Sequence, residues 1–213
     1  MPLLIGIADD HLSFLQSMSL LIGSFPNMEI ILQAHDGQDL LDKLSRSSTR
    51  PQICLVDVNM PVLDGPGTML QLSRDYPEIK TLALSMQEND AALIRMLRAG
   101  CRGWWLKYFT PDELERAIRE VHQSGFYNAD PLNVYHRRQS NYINEGPIHL
   151  TEEERRLLQL SCSELPTDEI DKRLSLPDPQ RHSLYNNLYE KLHVRSRLGI
   201  AMEGFRRGWV SDR

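Results

Sequence analysis

Four short apolar stretches punctuate the first half of the chain: Leu3-Leu4-Ile5-Gly6-Ile7-Ala8, Ile53-Cys54-Leu55-Val56, Thr81-Leu82-Ala83-Leu84 and Gly103-Trp104-Trp105-Leu106. Between and after them, helical patterning fits residues 12–24, 37–47, 66–75, 88–99 and 111–123. Short, nearly continuous apolar runs suit strands buried on both faces, and strands alternating with helices specify a parallel sheet. The expectation is an α/β unit of five parallel strands sandwiched by helices. Its last helix is opened by Thr110 as N-cap, Pro111 at the first position and Glu113 completing a capping box.

Each stretch ends on a chemically suggestive residue. Asp9-Asp10 follow the first, Asp57 the second, Ser85 the third and Lys107 the fourth. Carboxyl ends of parallel strands share one edge, so these residues can converge on one crevice. Three acids gathered there favour a divalent cation, magnesium by preference, since it takes few protein oxygens and keeps several waters. A carboxylate can attack a phosphoryl group once that charge is neutralised. Asp57 suits the attack, Lys107 can pair with a phosphoryl oxygen, and Ser85 can donate a hydrogen bond to the product. Taken singly, the same residues read as helix caps, a strand end, a turn and a solvated lysine. The carboxylates of Asp9, Asp10 and Asp57 are expected within a metal's coordination reach of one another, with Lys107 close by.

The segments Ala8-Asp9-Asp10-His11, Leu55-Val56-Asp57-Val58-Asn59-Met60-Pro61-Val62-Leu63-Asp64-Gly65, Leu84-Ser85, and Lys107 followed by Pro111-Asp112-Glu113-Leu114 resemble the receiver domain of two-component response regulators. The resemblance covers residues 1–128 and implies a flavodoxin-like, doubly wound fold with Asp57 phosphorylated by a histidine kinase. It further implies magnesium held by Asp10, Asp57 and the Asn59 carbonyl, with Asp9 assisting through water and Ser85 and Lys107 holding the phosphoryl group. Where such domains usually carry a Tyr or Phe that switches with phosphorylation, this chain has Trp104. Alternation sends Trp104 and Trp105 to opposite faces, and Trp104 is expected to be partly exposed beside the fourth helix and fifth strand.

Residues 129–147, with Asp130-Pro131, Gln139-Ser140-Asn141 and Asn144-Glu145-Gly146-Pro147, read as a linker, in which Val134-Tyr135 and Tyr142-Ile143 are candidates for docking on a neighbour. Residues 148–213 read as a small all-α domain. Thr151 with Glu154 opens its first helix, Thr167 caps a second through Leu174, Asp178-Pro179 starts a third, and a fourth spans about Arg197 to Arg207. Leu150-Thr151, Glu169-Ile170, Lys191-Leu192 with Val194 and Arg197, and Gly208-Trp209-Val210 resemble the LuxR-type helix-turn-helix, which makes the chain NarL/FixJ-like. On a helical wheel Leu184, Tyr185, Leu188 and Leu192 form one face, leaving His182, Ser183, Asn186, Asn187 and Glu190 outward to meet a major groove, with Lys191 able to reach phosphate. The departures are Asp171, where the LuxR type usually has Ala, and Gln180-Arg181-His182-Ser183-Leu184 in place of Thr-Val-Lys-x-His. Arg181 falls on the apolar face, so a partly buried ion pair with Asp171 is expected to replace an apolar contact at the helix crossing.

Charge leaves the output open. Residues 148–213 hold eleven Lys and Arg against eleven Asp and Glu, whereas residues 1–128 hold eleven against sixteen. A neutral module binds DNA weakly unless Arg155, Arg156, Arg173, Lys191, Arg195 and Arg197 cluster or a homodimer doubles the contacts. One reading is a phosphorylation-controlled transcription regulator; the other is a signalling adaptor whose helical domain binds protein. No nucleophile and base pair or phosphate-cradling glycine loop appears elsewhere, so an enzyme in the ordinary sense is not expected. The start has no basic leader, no apolar run nears the roughly 18 residues of a membrane span, and three cysteines, odd in number and without paired metal spacing, fit a reducing compartment, so a cytoplasmic location is expected.

Overall fold

The structure, a computed structural model, describes residues 1–86, 90–108, 110–139 and 147–210. The chain divides into two compact units, Met1–Tyr127 and Asn128–Arg213. In the first, strands and helices alternate: β1 (Leu3–Ala8), α1 (Leu12–Ser24), β2 (Met28–Ala34), α2 (Gly37–Arg46), β3 (Ile53–Asp57), α3 (Gly65–Asp75), β4 (Lys80–Ser85), α4 (Asp90–Arg98), β5 (Trp104–Leu106) and α5 (Pro111–Ser124). The sheet is parallel, in the order β2-β1-β3-β4-β5. Residues 88 and 89, expected to open the fourth helix, lie outside the described residues.

Burial explains the sequence pattern. Every residue of β3 is buried, as is all of β4 after Lys80, so neither strand alternates in polarity. The helices bury one face only: α2 covers the sheet with Leu40, Leu41 and Leu44, each contributing about 1.5–3 kcal/mol. Side chains close the helix starts. Asp36 accepts from the Asp39 N–H at 2.9 Å, Asp64 from the Gly67 N–H at 2.9 Å, and the Thr110 and Glu113 capping box forms at α5. Between β1 and β3 the sheet order reverses, which opens a crevice at their carboxyl ends. Ala8 stands opposite Val56 and Asp57 opposite Leu84, so the residues after β1, β3, β4 and β5 share one edge.

One backbone feature next to that edge is strained. Val62 has φ of 63°, and the Leu63 N–H closes a tight turn on the Pro61 carbonyl at 2.7 Å. A β-branched residue is unfavourable there, and the Val62 side chain, 84% exposed, packs on little that would compensate. Val62→Gly is therefore expected to raise stability by up to about 1 kcal/mol in urea unfolding, relief of strain outweighing the greater entropy of unfolded glycine. A loss of stability would show that the turn is not strained.

The second unit comprises α6 (Pro131–Gln139), α7 (Glu152–Ser161), α8 (Thr167–Leu174), α9 (Asp178–Leu192) and α10 (Arg197–Arg206). The expected linker is thus partly helical, and its Asp130 and Asn133 are buried. Asp130, 2% exposed, accepts from the Leu132 N–H at the start of α6, from the Arg195 N–H and from the Ser196 hydroxyl. Asn128 and Asn133 donate to Glu203 of α10, whose other oxygen receives Arg206 and Arg207. A side chain on Gly199 would meet the Asp130 carboxylate at 2.6 Å, so this close approach requires glycine. Of the linker text, Pro147 is described and has no regular structure, while residues 140–146, including Tyr142-Ile143, lie outside the described residues; Val134 is half-buried and Tyr135 exposed.

Two helix starts differ from expectation. Pro166 rather than Thr167 is the N-cap of α8, and Pro177 rather than Asp178 that of α9; neither start has a side-chain cap. Asp178 is instead the first residue of α9, and its carboxylate meets Arg181 at 2.5 Å. The same guanidinium meets Asp171 at 3.2 Å, and Tyr185 donates its hydroxyl to Asp171 at 3.1 Å. The ion pair expected at this crossing is present and partly buried, with side-chain exposures of 21% for Arg181 and 28% for Asp171. Burial pushes the Tyr185 phenol up, and the neighbouring Asp171 carboxylate adds to the rise. Asp171→Ala and Arg181→Val should each cost about 1–2 kcal/mol, and the double variant clearly less than the sum, in thermal or urea unfolding. Strict additivity would refute the coupling.

Candidate functional site

The edge formed by the ends of β1, β3, β4 and β5 carries the residues singled out above. Asp9 is fully buried, Asp57 and Ser85 are each 5% exposed, and Asp10 is exposed. The Lys107 ammonium sits between two buried carboxylates, 2.5 Å from Asp9 Oδ2 and 2.6 Å from Asp57 Oδ1, and over the Phe14 ring at 4.4 Å. Asp57 Oδ2 accepts the Asn59 N–H at 3.0 Å, so both Asp57 oxygens are engaged. Burial pushes the Asp57 carboxyl up; Lys107 opposes this, Asp9 reinforces it, and the Asn59 N–H pulls back down. Gly65 allows the close packing behind the site, because a side chain there would lie 2.4 Å from the Asp57 carbonyl oxygen.

The acids are not arranged quite as expected. Among the described residues, the ligand atoms within 4.8 Å of one another belong to Asp9, Asp10 and His11, not to Asp9, Asp10 and Asp57. Lys107 and the Asn59 N–H hold the Asp57 carboxylate, while Asp9 turns its second oxygen towards His11. The His11 Nδ1 lies 2.9 Å from Asp10 Oδ1 and 3.3 Å from Asp9 Oδ1, and the His11 N–H donates to Asp9 Oδ1 at 3.0 Å. His11, which directly follows the acidic pair, is not among the expected site residues, yet its ring lies against both acids. Magnesium takes hard oxygen donors, and the carboxylates of Asp9, Asp10 and Asp57 with the Asn59 carbonyl have that chemistry.

Both tryptophans are buried, Trp104 at 5% and Trp105 at 3% exposure, so Trp104 is not the partly exposed indole that was expected. Alternation does send them to opposite faces, but helices cover the sheet on both sides and α5 packs on β4 and β5. Among the described residues neither indole N–H has a hydrogen-bond partner. Four exposed apolar residues follow the strand-end residues in sequence: Leu12 after the acidic pair, Val62 after Asp57, Met86 after Ser85 and Tyr108 after Lys107. Deep burial raises the thiol of Cys54 to about 12 and that of Cys101 to about 11, which makes both inert.

On α9, Leu184, Leu188 and Leu192 are buried while His182, Ser183, Asn186 and Asn187 are exposed. Lys191 differs. Its ammonium is engaged by Glu154 at 2.7 Å and by the His149 carbonyl at 3.2 Å. Burial opposes ionisation of Glu154, but Lys191 and the Thr151 N–H outweigh it and hold the carboxyl below its usual range. The other cations are similarly committed: Arg156 donates to the Arg173 carbonyl, Arg173 pairs with Glu169, and Arg197 is buried against the Ser161 and Ser163 carbonyls at the end of α7. Arg155 and Arg195 are exposed.

The family model for the response regulator receiver domain matches residues 5–119. Over 98% of its length the chain is 26% identical to the transcriptional regulatory protein DegU of Brevibacillus brevis, covering 95% of that protein. It is 28% identical to the transcriptional regulatory protein UhpA of Escherichia coli (strain K12), across 96% of this chain and 98% of UhpA. Among solved structures, the two-component response regulator RcsB in an RcsB-DNA complex aligns with a TM-score of 0.56 at 20% identity, covering 94% of this chain and 96% of that one. At that identity the likeness concerns the fold. Among the described residues no helix is long and apolar enough to cross a membrane.

Proposed function

The chain belongs to the response regulator receiver domain family, and from that membership we propose that Asp57 accepts a phosphoryl group from a histidine kinase in the cytoplasm and that this controls DNA binding by the second unit. The observation that carries the reading is the Lys107 ammonium held between buried Asp9 and Asp57. An Asp57 oxygen forms a bond to phosphorus as the bond from phosphorus to the donor's imidazole nitrogen breaks, and the released imidazole takes a proton from solvent. Lys107 offsets charge on the phosphoryl oxygens, and the Ser85 hydroxyl donates to one of them. Asp9, Asp10, Asp57 and the Asn59 carbonyl would hold magnesium, which supplies further neutralisation of those oxygens. Leu12, Val62, Met86 and Tyr108, exposed and apolar in the segments that follow the strand ends, suit the face of a partner that brings the donor.

The output reading rests on the uncharged polar face of α9. Asn186 and Asn187 have the amide chemistry that reads adenine, and His182 and Ser183 extend the face. With Lys191 tied to Glu154, phosphate contact falls to Arg155 and Arg195, and a second copy of the chain would double it. The supporting experiment is selection of binding sites from random duplex DNA, with and without a small phosphodonor. Enrichment of a common sequence only after phosphorylation, lost in Asn186→Ala, supports the reading. Absence of any salt-dependent binding would favour the protein-binding adaptor, which the committed cations of this unit also suit.

A further inference from the structure

Two buried carboxylates and one aromatic ring surround the Lys107 ammonium. Asp9 Oδ2 and Asp57 Oδ1 lie 2.5 and 2.6 Å away, and the face of Phe14 covers a further side, its ring centre 4.4 Å from Nζ. Phe14 stands in the first turn of α1, and it is not part of the apolar stripe with which that helix fills the core: Leu15, Met18 and Ile22 are buried, whereas Phe14 is half-buried. The Lys107 side chain is nevertheless only 4% exposed. The kind of group that covers the ammonium matters for its chemistry. A third carboxylate would cancel its charge, and water would hydrate it. An aromatic face attracts a cation through its quadrupole while carrying no net charge, so the ammonium is held and its charge stays available.

We propose that Phe14 is a positioning residue for phosphoryl transfer, its ring holding the Lys107 ammonium, shielded from water, at the point where the phosphoryl oxygens arrive. The inference rests on the reading of Asp57 as the phosphoacceptor, so the test separates the two. Once an Asp57 oxygen is bonded to phosphorus, that carboxylate has lost its negative charge and Lys107 turns to a phosphoryl oxygen. Asp9 and the Phe14 ring keep the ammonium in place through this exchange of partners, which spares the reaction a reorganisation of its main cation.

Phosphoramidate with Mg2+ is the donor, and the rate at which the full chain gains one phosphoryl group is followed by intact mass; the Asp57 oxygen bonds to phosphorus as the phosphorus–nitrogen bond breaks and ammonia leaves. Expected are a rate about tenfold lower for Phe14→Leu and one within about twofold of wild type for Phe14→Tyr. A trifluorinated phenylalanine at position 14 keeps the ring's size but weakens the negative potential of its face, and should lower the rate about threefold. Independently of transfer, the Lys107 methylene resonances next to the ammonium, assigned with Lys107→Arg, should lie upfield through the ring current and move back in Phe14→Leu. A trifluorinated protein that reacts at the wild-type rate would show that the ring acts by bulk alone and would overturn the inference, as would Lys107 resonances unmoved by Phe14→Leu. If wild type gains no phosphoryl group, or Asp57→Ala gains as much, the reading of Asp57 fails and the inference falls with it.

Discussion

Lys107→Met should destabilise the first unit by about 3 kcal/mol or more at neutral pH in the presence of a chelator. The ammonium is the shared counter-charge of Asp9 and Asp57, which have side-chain exposures of 0% and 7%, and its own side chain is only 4% exposed. Its removal leaves two neighbouring buried carboxylates without a cation, and one of them must take up a proton or the unit must open. Magnesium should restore more stability to the variant than to wild type, because a divalent ion can neutralise the acids Lys107 no longer serves. Trp104 and Trp105, both in β5, report the unfolding by fluorescence. A variant as stable as wild type in chelator would mean that the pair contacts contribute nothing.

Glu203→Leu should cost the second unit about 3–5 kcal/mol. Glu203 is 1% exposed and receives Asn128 and Asn133 on one oxygen and Arg206 and Arg207 on the other. Leucine keeps the volume but removes the carboxylate on which two buried amides and two guanidinium groups converge. Glu203→Gln retains an acceptor for the amides, so its loss should be smaller. Guanidinium unfolding read by the Trp209 signal measures both, and a Glu203→Leu loss under about 1 kcal/mol would show that the network does not hold α6 to α10.

The strand-end residues were legible because a parallel sheet brings its carboxyl ends to one edge whatever the details of packing. That geometry by itself implies the grouping of Asp9, Asp57, Ser85 and Lys107. It did not foretell which oxygen goes to which partner, so the association of Asp10 with His11 rather than with Asp57 emerged only from distances. The same limit applies to Trp104: period-two alternation gives the face, while exposure depends on which helix covers that face. The linker reading does not anticipate the burial of Asp130 and Asn133, because polar side chains look alike in sequence whether water or buried donors and acceptors satisfy them. Arg181 and Asp171 were legible for the opposite reason, since a charge in the middle of an apolar stripe demands a partner.

The most direct test of the account is transfer of phosphate to the protein itself. Wild type and Asp57→Ala would be incubated with a small phosphodonor and magnesium, and the intact protein mass followed over time. The account predicts one added phosphoryl group in wild type, removed by hydroxylamine as an acyl phosphate is, none in Asp57→Ala, and none in wild type when the metal is chelated. Equal labelling of wild type and Asp57→Ala would contradict it.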